Sequence, residues 1–100
     1  MRARFLKAAQ DEVDEAVAYF DEQRAGLGDR FVQDLLATLT VIVGYPLSGK
    51  PLGKLVRKFR LRAFSYNLIY VIDEADIIIV AVAHHRRRPA YWQARMALLR

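Results

Sequence analysis

The sequence predicts an α+β domain of order β-α-α-β-β-β-α, with a helical hairpin packed on one face of an antiparallel sheet. Three observations carry this. Apolar residues recur at helical spacing on both sides of Gly26 and Gly28. From Leu55 onward the period changes to two. The links between the period-two runs are short, which makes neighbouring strands antiparallel. One hundred residues form a single domain, 1–100.

Arg2 to Leu6 fits a short strand. Ala9, Val13, Ala16 and Phe20 then recur at helical spacing, and Asp11, Glu12, Asp14, Glu15, Asp21 and Glu22 fill the other face. This predicts an amphipathic helix from near Ala8 to Arg24, with its carboxylates on a solvated face. Gly26 and Gly28 supply a helix end and a turn. A second helix starts near Asp29, buries Phe31, Leu35, Leu39 and Ile42, and stops at Gly44 and Pro46.

Tyr45 to Gly53 reads as a loop. Leu55, Phe59, Leu61 and Ala63 then alternate with Val56, Lys58, Arg60 and Arg62, giving one apolar and one basic face. Arg57 falls on the apolar side, near enough to the strand start to reach a carboxylate or a carbonyl. Phe64 to Asn67 is predicted as a turn, Leu68 to Ile72 as a central strand, Asp73 to Asp76 as a tight acidic turn, and Ile77 to Ala83 as the third strand of a meander. Pro89 suits the first turn of a final helix, Ala90 to about Leu99.

Composition narrows the function. With no cysteine there is neither a disulfide framework nor a thiolate metal site, which fits a reducing cytoplasm. No run approaches the ~18 apolar residues of a membrane span, and no signal peptide is visible. Residues 1–50 carry six Lys/Arg and eight Asp/Glu, a net of −2; residues 51–100 carry ten and three, a net of +7. The basic half therefore points to an acidic partner, nucleic acid or protein. The competing reading is an idle, solvated basic face.

The basic half ends in His84-His85-Arg86-Arg87-Arg88-Pro89-Ala90-Tyr91-Trp92. Three consecutive arginines repel one another unless an anion is present, and at a strand end they are held where phosphates or carboxylates can meet them. His84 and His85, as strand neighbours, are expected on opposite faces and so unable to chelate one ion together. No metal and no cofactor are expected. His84 is expected to anchor the strand end by hydrogen bonds, and Trp92 to pack the C-terminal segment on the sheet.

The Gly26-Leu27-Gly28 link with Arg30-Phe31 after it, "VRKFRLRAFSYNLIYVID", "AVAHHRRRP" and Tyr91-Trp92 together resemble the RelE/ParE superfamily of type II toxin–antitoxin toxins, also called plasmid-stabilisation proteins. The resemblance covers nearly the whole chain, and the tail is closer to ParE-like members. It implies a small cognate antitoxin as partner. A homodimer within the toxin–antitoxin complex is compatible with it.

Two activities are implied. A ParE-like toxin acts on DNA gyrase, trapping it on cleaved DNA, and is not an enzyme. A RelE-like toxin is a metal-independent endoribonuclease that cuts mRNA on the ribosome. By similarity Lys58, Arg60, Arg86 and Tyr91 would then be catalytic, with Tyr91 the late proton donor. Asn67 departs from that pattern, which has an arginine there. On the gyrase reading Arg62, His84, His85, Arg86, Arg87, Arg88 and Trp92 form the target- or partner-binding set. A third reading is an inactive homologue that only binds its antitoxin as a co-repressor.

Overall fold

The structure, a computed structural model, describes residues 1–99. Its strands are β1 (Arg2–Phe5), β2 (Lys50–Pro51), β3 (Val56–Arg60), β4 (Tyr66–Asp73) and β5 (Asp76–His84). Its helices are α1 (Lys7–Gln23) and α2 (Leu27–Gly44), with 3-10 turns at Pro46–Ser48 and Gln93–Leu99. The five strands form one sheet of order β1-β5-β4-β3-β2. The expected α+β architecture and its meander are present.

The hairpin link is built on two glycines with different tasks. Gly26 has a φ of +87°, a conformation that disfavours side chains. Gly28 donates its N–H to Asp21 Oδ1 at 2.8 Å, and a Cβ there would come equally close to that oxygen and to the Val17 carbonyl. The helices therefore meet at a separation that only glycine permits.

The sheet buries both faces. Leu68, Tyr70, Ile77, Ile79 and Val82 pack against Ala9, Val13, Phe31, Leu35 and Ile42 of the helices. Ile69, Val71, Ile78, Val80 and Ala81 lie on the other face beneath Trp92, with Val56 and Leu6. Val80 and Ala81 share a face because β5 carries a bulge. Ile69 pairs with Ala81 and Tyr70 with Ile79, leaving Val80 without a partner in β4.

Five features depart from the sequence expectations. Tyr66 and Asn67, expected in the turn, open β4 by pairing with His84 and Ala83 of β5. β1 pairs parallel with β5, Arg2 opposite Asp76 through Phe5 opposite Ile79, adding an edge strand that no hairpin link announces. Lys50–Pro51 pairs with β3 and forms the opposite edge inside the expected loop. Leu55 is exposed and precedes β3, whereas Val56 is buried under the C-terminal segment, so the expected basic face is apolar at its start. The last element is a 3-10 helix rather than an α-helix. Ala90 adopts a φ of +61°, which breaks the helical start that Pro89 favours.

Arg57, the cation on the apolar side of β3, donates to the carbonyls of Leu47 and Gly49, at 3.0 and 2.8 Å. Tyr70 completes this anchor. Its hydroxyl accepts the Gly49 N–H at 2.9 Å and donates to the Pro46 carbonyl at 2.7 Å. On α2, the Asp34 carboxylate accepts the N–H groups of Arg62, Ala63 and Phe64 and so fixes the β3–β4 connection.

Candidate functional site

The charged end of the sheet is assembled from β3, β4 and the segment after β5. Lys58 on β3 and Asn67 on β4 face a groove of about 330 Å³. His84, His85, Arg87, Arg88, Tyr91 and Trp92 also line it, with apolar Leu52 and Ile69. Seven of the ten residues singled out from sequence therefore share one groove. Arg60, Arg62 and Arg86 do not line it. Arg62 borders a separate depression beside α2, with Arg30, Gln33 and Asp34. All three residues of the Arg86–Arg88 run are exposed.

His84 and His85 correct one expectation. Their rings lie 4.5 Å apart between centroids, not on opposite faces. β5 ends at His84, so the strand alternation does not extend to His85. His84 Nδ1 accepts the Arg86 N–H at 3.1 Å, and its ring packs edge-on against Tyr66. Partial desolvation, then the neighbouring His85 and Arg86, lower its pKa from the ordinary histidine value. The neutral ring is the form that accepts this hydrogen bond. His85 Nδ1 faces the Ser65 carbonyl at 3.3 Å. Among the described residues no three His, Cys, Asp or Glu side chains gather as a metal site would need.

Tyr91 borders the groove, but its hydroxyl donates to Glu12 Oε2 at 2.5 Å. Burial first, then this hydrogen bond to a carboxylate, push its pKa far above the usual tyrosine value. Arg95 pairs with the same carboxylate, Nη1 to Oε1 at 2.8 Å and Nη2 to Oε2 at 3.2 Å. The hydrogen bond to Glu12 raises the Arg95 pKa further, so the guanidinium stays charged. Both side chains are largely buried.

This cluster closes the sheet. β1 covers β5 only as far as Ile79. Beyond it Glu12 Oε1 accepts the Val82 N–H at 3.0 Å, and Arg95 Nη1 donates to the Val80 carbonyl at 3.0 Å. Two side chains thus satisfy edge groups that a strand would otherwise take. The acidic run of α1 predicts Glu12 on the solvated face, and nothing in the sequence singles out Arg95. One signal was available: Glu12 lies three residues after Ala9 and four before Ala16, at helical spacing with the buried stripe.

No helix among the described residues is long and apolar enough to cross a membrane. No curated protein sequence matches the chain. Among solved structures, the chromosomal ParDE toxin–antitoxin system from P. aeruginosa is similar with a TM-score of 0.74 at 16% identity, over 84% of this chain and 95% of that one. The isolated E. coli RelE toxin is similar with a TM-score of 0.64 at 20% identity, over 97% of each chain. At these identities the likeness is one of fold. The family model of the ParE toxin of the type II parDE toxin–antitoxin system matches residues 3–89. The hairpin, the cationic strand end and all of the sheet but Arg2 lie within that match, and the chain belongs to the ParE toxins of type II toxin–antitoxin systems.

Proposed function

We propose that this toxin acts on DNA gyrase through its cationic groove and the Arg86–Arg88 run, and that a cognate antitoxin neutralises it by covering that surface. The observation that carries this reading is the commitment of Tyr91 to Glu12. A nuclease needs a proton donor beside the leaving oxygen. Here the phenol is engaged by a carboxylate, and its raised pKa makes it a weak acid. His84 favours its neutral form and already uses Nδ1. Position 67 contributes an uncharged amide to the groove. Such a surface is suited to holding acidic groups of a partner rather than to cleaving a phosphodiester.

The test is a gyrase assay with purified chain, ATP and supercoiled plasmid. Linear DNA from trapped cleavage at low toxin concentration is expected. Intact plasmid with a folded chain would refute gyrase as the target. Cutting of mRNA on programmed ribosomes would then establish the nuclease alternative, which the company of Lys58 with Arg87 and Arg88 in one groove favours. Inertness in both assays, with antitoxin binding retained, would leave the co-repressor reading.

A further inference from the structure

The Arg87 guanidinium lies over the Tyr91 ring, 3.9 Å from its centroid. Arg87 is exposed, and an exposed arginine on a short turn ordinarily samples many rotamers. Among the described residues it is the only member of the Arg86–Arg88 run that rests on an aromatic face. The ring beneath it is fixed in turn, because its hydroxyl is held by Glu12. Glu12 is itself fixed by α1, by the Val82 N–H and by both Nη atoms of Arg95. An unbroken series of contacts therefore runs from a largely buried helix carboxylate to an exposed cation at the groove.

We infer that Glu12 is a positioning residue for Arg87. It sets the ring on which the guanidinium rests, and so the direction from which Arg87 meets an acidic partner. The functional meaning rests on the proposed role of the groove; the positioning itself does not. An arginine held in advance loses less side-chain entropy on binding, which is the advantage such a support provides. Glu12 also seals the β5 edge, so loss of stability alone would not distinguish the two roles.

The experiment therefore reads Arg87 directly. A guanidinium stacked on a phenol places its δ protons in the ring current, so their resonances in the purified wild-type chain are expected upfield of a free arginine. Glu12→Gln keeps the size of the side chain and removes its charge. Tyr91→Phe keeps the ring and the Glu12–Arg95 pair and removes only the tether. Both variants are expected to fold and to move the Arg87 resonances toward the free value. Should Glu12→Gln fail to fold, Tyr91→Phe decides. Unmoved resonances in a folded variant would overturn the inference.

In the gyrase assay, Glu12→Gln and Arg87→Ala are each expected to weaken trapping about fivefold, because the first misdirects the cation that the second removes. The double variant is expected to be no worse than either. Losses that multiply would overturn the coupling. A wild-type chain that traps no gyrase would refute the proposed target, and the Arg87 resonances alone would then decide the positioning.

Discussion

Glu12 and Arg95, 83 positions apart, form an ion pair at 2.8 Å that ties the first helix to the C-terminal 3-10 segment. Both partners are mostly withdrawn from water. Removing one leaves the other charge buried and unpaired, at a cost of about 3 kcal/mol or more. Arg95→Met is therefore expected to lower the unfolding free energy by that amount in a urea titration. A loss well below 1 kcal/mol would mean that water reaches the Glu12 carboxylate.

Tyr70 is fully buried, and its hydroxyl both accepts from Gly49 and donates to Pro46. Tyr70→Phe strands a buried N–H and a carbonyl, and should cost about 1–3 kcal/mol. Arg57 still holds the Gly49 carbonyl in that variant, so the loop stays in place and the loss reads as stability alone. Amide hydrogen exchange at Gly49 should accelerate; unchanged protection would contradict the bond.

Phe31 is fully buried where α2 meets Phe20, Phe64 and Tyr66, with ring centroids 5.0 to 5.5 Å away. Phe31→Ala opens a cavity among three rings that cannot easily collapse. The expected cost is about 3–5 kcal/mol, measured by chemical denaturation.

His84 makes stability depend on pH in a definite direction. Its pKa in the folded chain is lower than in the unfolded chain, so the unfolded chain binds more protons between the two values. Its contribution is complete above the ordinary histidine value of about 6.5 and is lost as pH falls through the depressed folded value. His84→Asn should flatten the acid side of the melting-temperature profile. A profile unchanged by the substitution would assign that slope to other groups. Protonation also removes the acceptor for the Arg86 N–H, so the turn into the arginine run should loosen in the same window.

Replacing Arg86, Arg87 and Arg88 together by Ala should abolish growth arrest while leaving the fold intact, since all three are exposed. Circular dichroism would report the fold and colony counts on induction the toxicity. A folded, fully toxic triple variant would remove the run from the target surface.

The sequence made local order legible and long-range closure obscure. Helix faces and the meander follow from periodicity, because each residue there is placed by its near neighbours. The position of Arg57 leaves a carboxylate or a carbonyl as its partner, and it is two carbonyls that it reaches. β1's pairing with β5 leaves no comparable trace, since a parallel neighbour lies 74 positions away and no short turn links the two. The His84–His85 contact escaped because the strand ends between them, and strand boundaries are set by tertiary hydrogen bonds such as His85 N–H to the Ser65 carbonyl. Glu12 escaped for a related reason: a carboxylate in an acidic run looks solvated until a cation 83 positions away is brought to it.

The β5 edge has a consequence for the order of assembly. β1 can seal β5 only to Ile79, and the next stretch waits for Arg95, made 15 positions after Val80. Until then a nascent or nicked chain displays the Val80 carbonyl as an open acceptor for strand addition. Tyr91 bonds to the carboxylate that Arg95 also holds, so the arginine-bearing turn and the sheet margin share one anchor. A chain interrupted between Ala83 and Tyr91 would therefore be both adhesive and without its organised cationic surface.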